Sequence, residues 1–337
     1  MAPIIGLTLS VSDNSGRSSV IDFAQRAEAL GYDSLWCGES WGRDLVTTLT
    51  HVACHTSRIK LATGIINVFS RTPSLVAQTL ASLDEISAGR AILGLGSSGA
   101  KVVRDWHGLS FDRPLQRTRE FIEIVNLALS GQRVDYEGQF YRLHDFALRL
   151  NPPRNHIPVY VASLGPKNVE LTGELADGWS PVFFSPDHLD TFNEQLAVGR
   201  RKASRSVDAV EMAPWMICCV SDDGSLAKAL VRRHIAYYVG GMGRYYRDVM
   251  VRYGFQEEVA DIEELWKVQR DREAAADAVT DPMVAAVSIT GTGAQCRQRM
   301  QEIQAMGITV PVVMVPLGSP KAIVNETIQQ LAPASFS

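Results

Sequence analysis

The residues best placed for chemistry in this chain are Glu39, Ser40 and Trp41. They set a carboxylate beside a hydroxyl and an indole, directly after the apolar run 34–37. A carboxylate there can orient a substrate or move a proton; the competing reading is a glutamate that caps a neighbouring helix. His107, next to Trp106, is a second acid–base candidate because histidine titrates near neutral pH, and it is equally readable as a helix-packing residue. Asn67 and Arg71 follow a third apolar run, and Arg71 suits either an anionic ligand or an Asp or Glu of a neighbouring loop. Gly94-Leu95-Gly96-Ser97-Ser98-Gly99 matches GxGxxG, with Glu120 about 20 residues beyond. A nicotinamide dinucleotide site would put that match on a first strand–helix unit, whereas it lies on the fourth, and Glu120 falls inside a helical pattern. Small residues such as Gly96, Ser97 and Ser98 equally let a ligand approach the backbone. Ser163-Leu164-Gly165 precede a helix start, where amides and the helix dipole suit a phosphate. Lys167 adds charge there, and Pro166 withholds one amide.

Two further patterns read as structural. His51 and His55 stand one helical turn apart, but no acidic residue lies at a helical offset to complete a metal site, and they fall on a crossover helix. No metal is expected. The vicinal Cys218-Cys219 sit within a strand pattern as small buried residues. Composition excludes other classes. A net charge of −4 gives no electrostatic case for nucleic acid or membrane surfaces. The five cysteines form no CxxC pair, no charged N-terminal region precedes a cleavage pattern, and no apolar run approaches the roughly 20 residues of a membrane span. A soluble cytoplasmic protein acting on a small-molecule substrate is expected.

These candidates need a scaffold. Strands are predicted at 4–9, 34–37, 59–64, 91–95, 159–162, 178–183, 212–220 and 308–315, and helices alternate with them. Thr72-Pro73 reads as a helix start and Gly89 as a left-handed terminator. One strand–helix unit at a time implies right-handed crossovers and a parallel sheet. Eight such strands point to an α/β fold, a (β/α)8 TIM barrel, as a single domain over 1–337 with two insertions. The first, at about 131–155, reads as a hairpin around Glu137-Gly138 closed by Asn151-Pro152-Pro153. The second, at about 221–290, is helical, with a break expected at Gly240-Gly241 and a charged helix over 257–278. Tyr237 and Tyr238 beside that break are candidate substrate contacts on a lid, or simply packing residues.

The stretch TGIINVFSRTPSLVAQTLASLDEISAGRAILGLGSS over 63–98, with GYDSLWCGE at 31–39 and LTGELADGW at 171–179, resembles the luciferase-like oxidoreductase superfamily. Within it, the branch using the deazaflavin coenzyme F420, which includes methylene-tetrahydromethanopterin reductase, is the more similar. The resemblance implies a luciferase-like barrel that transfers hydride between coenzyme F420 and a small organic substrate. It places Glu39 and Ser40 by the deazaflavin ring, where some relatives carry histidine at the Ser40 position. It implies a non-proline cis bond at Gly64–Ile65, which turns Ile65 towards the ring and aims Asn67 across the barrel mouth. Gly96, Ser97, Ser98 and Ala162 line the same mouth. Ser163, Leu164, Gly165 and Lys167 fall where the family holds the cofactor phosphate. Some relatives have a glutamate acid after strand four, whereas Gly99-Ala100 offer none here, leaving His107 as the ionisable group on that rim. Trp41, Tyr237 and Tyr238 would face substrate. The resemblance also implies a homodimer and, indirectly, an enzyme that reduces the cofactor. The alternatives are an FMN-dependent monooxygenase using reduced flavin and oxygen, and a barrel that binds flavin or another ligand without catalysing.

Overall fold

The computed structural model describes residues 2–11, 16–150, 153–154 and 156–336. The strands, in chain order, are β1 (Gly6–Thr8), β2 (Ser34–Cys37), β3 (Lys60–Thr63), β4 (Ile66–Asn67), β5 (Ala91–Gly96), β6 (Val134–Glu137), β7 (Arg142–Phe146), β8 (Val159–Val161), β9 (Gly178–Trp179), β10 (Glu211–Met212), β11 (Trp215–Val220), β12 (Ser288–Gly291) and β13 (Val312–Met314). All but β6 and β7 join one parallel sheet, in the order β10-β9-β8-β5-β3-β2-β1-β13-β11-β12 with β4 beside β5. Helices cover the sheet, so most of its strands are apolar runs; all six residues of β5 are buried.

The helices on the first half are α1 (Arg17–Ala29), α2 (Leu45–Ala53), α3 (Pro73–Ile86), α4 (Pro114–Leu129), α5 (Pro166–Leu175) and α6 (Leu189–Lys202). Their ends follow the sequence signals. Thr72 Oγ1 accepts from Leu75 N at 3.3 Å with Pro73 in the first turn, and Gly31 and Gly89 both take positive φ after α1 and α3. Inside the curl of the sheet, Trp36, Ala62, Ile92, Tyr160, Ala213, Val310 and Val312 form an apolar plug against which Trp215 packs. The C-terminal mouth above that plug is open.

The expected ring of eight strands is met as a curled parallel sheet, not a continuous closed barrel. The strand predicted over 212–220 is divided at Ala213-Pro214 into β10 and β11, and proline has no amide to give a ladder. β10 pairs with β9, while β11 pairs with β13 and β12; a single parallel bridge, Val182 with Trp215, joins the β9 segment to β11. β12 has no counterpart in the sequence reading, because its four residues carry one buried apolar position.

The first insertion is an antiparallel hairpin of β6 and β7. Glu120, on α4, organises it by accepting from Gln139 N, Phe140 N and Tyr141 N at 2.9, 2.9 and 3.2 Å. This buried structural carboxylate accounts for the acidic residue downstream of the glycine motif. Asn151 and Pro152, expected to close the insertion, lie outside the described residues.

The second insertion carries α7 (Gly224–Gly241), α8 (Arg244–Arg252), α9 (Gln256–Glu263), α10 (Arg272–Asp277) and α11 (Asp281–Val287); α12 (Gly293–Ala305) and α13 (Lys321–Gln330) complete the chain. The break expected at Gly240-Gly241 is displaced. α7 runs through both glycines and stops at Met242, with Gly243 at φ 109°. A Cβ on Gly240 would stand 2.6 Å from Trp266 Cβ, so glycine is there to admit an indole against the helix. The charged helix expected over 257–278 is divided too, by a π-helical turn over Glu264–Gln269 and a left-handed Arg270. No described helix is long and apolar enough to cross a membrane.

Candidate active site

A cavity of about 1150 Å³ opens at the C-terminal ends of the strands, beneath the second insertion. Its lining unites most of the predicted residues: Glu39, Ser40, Trp41, Gly64, Ile65, Gly96, Ser97, Ser98, Ala162, Leu164, Gly165, Lys167, Tyr237 and Tyr238. The volume suits a cofactor-sized ligand, and the place is where parallel α/β sheets bind ligands.

Glu39 is gripped by Arg71. Arg71 Nη1 donates to its Oε2 at 2.5 Å and Nη2 to its Oε1 at 2.9 Å, a two-armed fork, and Leu45 N donates to Oε1 at 3.3 Å. Arg71 Nη2 also reaches Asp44 Oδ2 at 2.6 Å, and Asp44 caps α2 through Thr47 N. The bonds Arg71 donates to Glu39 raise its pKa against the opposing effect of burial. Burial disfavours the charged Asp44, but the Thr47 bonds and Arg71 outweigh it and lower its pKa. Arg71 thus answers to the acids of the neighbouring loop, and the two readings of Glu39 merge. Its carboxylate faces the cavity and also ties the β2 loop to the start of α2.

The floor is built of small residues for a packing reason. The Gly64–Ile65 peptide is cis, as the family resemblance implies. Gly64 N donates to Cys37 O at 2.7 Å, and a Cβ on Gly64 would meet Trp215 Cζ2 at 2.5 Å. In the glycine-rich loop the two leading glycines differ. Gly94 is locked to Thr63 by two 2.8 Å hydrogen bonds, and a Cβ there would strike the Thr63 carbonyl. Gly96 faces the cavity, with Ile65 and Ala162 opposite its absent side chain at 3.3 and 3.5 Å.

Three predicted residues do not line the cavity. His107 ends the π-helical turn Val102–Trp106, and its Nε2 lies 3.4 Å from Asn67 Nδ2. Asn67 turns its Oδ1 back to Phe69 N and Ser70 N at 3.0 and 2.8 Å, closing a local turn instead of crossing the mouth. Ser163 is buried with its Oγ on Thr172 Oγ1 at 2.8 Å, while its carbonyl accepts from Trp179 Nε1. Lys167 stays at the rim, but its ammonium is paired with Glu170 at 2.9 Å.

The sequence reading omits a group on the far wall: Ser180, Trp215, His234 and the loop after β13. His234 is 1 % exposed, its Nδ1 accepts from Leu317 N at 3.1 Å, and burial pushes its pKa down to about 3. Its ring lies against Tyr238, and Phe183, Tyr238 and Tyr246 pack together over it. Burial raises both tyrosines, Tyr246 to about 12. His234 sits within the regular pattern of α7, and Ser180 and Trp215 fall at predicted strand positions that read as core, so local patterning does not single out this wall beforehand.

Comparison with known proteins gives the same architecture. The luciferase-like monooxygenase family model matches residues 7–310. A Mycobacterium tuberculosis protein named for coenzyme F420-dependent oxidoreductase activity is 35% identical over 327 residues, covering 92% of this chain and 94% of its own. The 5,10-methylenetetrahydromethanopterin reductase of Methanolobus tindarius is 32% identical over 304 residues, covering 90% and 91%. The solved coenzyme F420-dependent tetrahydromethanopterin reductase of Methanopyrus kandleri superposes with a TM-score of 0.84 at 25% identity, covering 98% of both chains. With a cavity at the strand ends and small residues at its floor, the chain belongs to the luciferase-like family of oxidoreductases.

Proposed function

We propose that this protein transfers hydride between coenzyme F420 and a small organic substrate. The observation that carries the reading is the small-residue floor inside a cavity of cofactor size, in a chain whose relatives bear F420-dependent names. The residues present fit the group. Gly96 leaves a flat surface against Ile65 and Ala162, and a Cβ on Gly165 would meet nothing within 4 Å, so a ligand can lie against both backbones. Coenzyme F420, when bound, supplies the deazaflavin carbon that gives or takes hydride. This chain would seat the ring on Gly64-Ile65, Gly96, Ser97, Ser98 and Ala162. The start of α5, at Leu164-Gly165 with Lys167, would take the phosphate through its amides and dipole. Glu39, fixed by Arg71, presents a charged oxygen to the reacting region with Ser40 and Trp41, and Tyr237 and Tyr238 shut out water from above. In this reading the curled sheet works as a (β/α)8 barrel whose seam is the Ala213-Pro214 break. A homodimer in the cytoplasm, served by a separate enzyme that reduces the cofactor, completes it.

Fluorescence titration of purified protein with coenzyme F420 and with FMN tests the proposal. The expected result is a dissociation constant for F420 at least about tenfold below that for FMN, a difference of about 1.4 kcal/mol. Preferential FMN binding would replace the reading with a flavin monooxygenase.

A further inference from the structure

Among the described residues, ten buried side-chain polar atoms have no hydrogen-bond partner, and four of them belong to residues lining this single cavity: Asn168, Ser180, Trp215 and His234. Buried polar groups in folded proteins are overwhelmingly paired, so such a concentration points to a ligand that completes them. Three of the four share one side of the cavity. Val182, two residues beyond Ser180, bridges to Trp215, and Phe183 stacks on His234 with centroids 6.3 Å apart.

His234 is the most tightly defined. Its Nδ1 accepts from Leu317 N, so the neutral ring carries its proton on Nε2, and Nε2 is the atom without a partner. Phe183 and Tyr238 hold the ring plane, Tyr238 at 4.7 Å and 26°. The indole Nε1 of Trp215 is likewise a donor only.

We propose that His234 determines substrate specificity. Its Nε2–H, with Trp215 Nε1–H and the Ser180 hydroxyl, selects a substrate bearing a neutral oxygen acceptor, a carbonyl or an alcohol, over a hydrocarbon of the same shape. A carboxylate is disfavoured because the wall offers no buried cation to balance it. Arg244, the cavity's arginine on the insertion side, is exposed and turned to Asp248. Since burial keeps His234 neutral, the ring holds a bond in place and does not deliver a proton. The wet alternative, water on all these groups, is the state a substrate oxygen would displace.

The inference rests on the proposed function only in placing a substrate in this cavity, and its test needs no turnover. Cyclohexanone and methylenecyclohexane have matching shapes and differ by an oxygen in place of a CH2. In protein carrying 15N-labelled histidine, studied with and without coenzyme F420, the His234 Nε2–H resonance should shift on saturation with the ketone and stay in place with the hydrocarbon. Wild-type protein should bind the ketone about tenfold more tightly, the ratio expected of a buried neutral hydrogen bond. His234→Asn keeps an acceptor for Leu317 N but loses the Nε2–H, and should cut that preference to about twofold. His234→Gln, whose amide NH2 reaches the Nε2 position, should restore part of it. Neither change should move the F420 dissociation constant. An unresponsive resonance, an undiminished preference in His234→Asn, or a matching loss of F420 affinity would each overturn the inference. If His234→Asn fails to fold, the resonance in wild-type protein decides alone. Failure of F420 binding with the ketone results intact would sink the cofactor reading and leave this one standing.

Discussion

Gly64→Ala is the sharpest probe of how the cavity floor is built. The added Cβ would stand 2.5 Å from Trp215 Cζ2 and 2.6 Å from Cη2, about 1 Å inside ordinary contact. The obstacle is an indole wedged edge-on against Trp36 at 6.0 Å and resting on the apolar plug, so it cannot yield as a flexible side chain would. Overpacking of this kind costs about 1–3 kcal/mol. With about 2.1 cal/mol/K of unfolding entropy per residue over 337 residues, that lowers Tm by roughly 1.5–4 °C. Gly64 and Trp215 both line the cavity, so a shifted indole also distorts the ring seat, and F420 affinity should fall by about tenfold or more. The assay is a double-mutant cycle with Trp215→Phe, which removes the benzo edge that the Cβ strikes. Thermal unfolding and fluorescence titration should show Gly64→Ala to be nearly harmless in the Trp215→Phe background, with a coupling of about 1 kcal/mol or more. Additive effects, or a Gly64→Ala protein with unchanged Tm and affinity, would refute the wedge.

Three more outcomes are expected. Gly240→Ala puts a Cβ 2.6 Å from Trp266 Cβ and should cost about 1–3 kcal/mol in urea unfolding, while Gly241→Ala, with Trp266 at 3.2 Å, should come out near neutral because alanine gains about 1 kcal/mol of helix propensity. Glu39→Gln should lower kcat by more than about tenfold while moving F420 affinity by less than about threefold, as loss of a group acting mainly in the transition state does; steady-state kinetics showing unchanged kcat would make Glu39 a purely structural anchor. His156 gains a 2.8 Å bond to Asp177 that raises its pKa, so this pair's contribution is fully present below about pH 6.5 and is lost as pH rises through the folded value. Because the His156 side chain is half exposed, the urea-midpoint difference from His156→Gln should correspond to no more than about 0.5 kcal/mol at about pH 5.5, and should vanish by about pH 9.

The parallel scaffold is legible because its signals are local and repeated. Most of the buried strands are apolar runs, and several helix ends are carried by a residue with a defined backbone preference, as at Thr72-Pro73 and Gly89. What escaped depends on contacts from elsewhere in the chain. Gly240-Gly241 looks like a break to any local rule, yet Trp266 turns the pair into a docking groove and moves the break to Gly243. The Pro214 interruption is visible as a proline, but its effect on sheet closure depends on which neighbour each half of the strand finds.

The site divides the same way, and the division follows the kind of residue. Glycines and small residues at strand ends announce themselves, because a backbone that must be approached closely cannot carry a side chain; Gly96 is legible for that reason, whereas Gly64 is reached only through the family resemblance. Side chains that face the cavity cannot be told by type alone from those that satisfy a neighbouring loop. Asn67 and Glu39 are both polar residues directly after a strand. One spends its oxygen on Phe69 N and Ser70 N, and the other is turned to the cavity by Arg71, four residues beyond the first. His107 and His234 make the contrast sharper. His107 is conspicuous in the sequence, beside a tryptophan on a predicted rim, and lies against Asn67 outside the cavity lining. His234 sat inside an ordinary helical pattern, yet a backbone amide 83 residues away fixes its tautomer and leaves its other nitrogen unpaired at the cavity wall. What separates them is where the fold puts each ring, and that depends on tertiary contacts that sequence position alone does not carry.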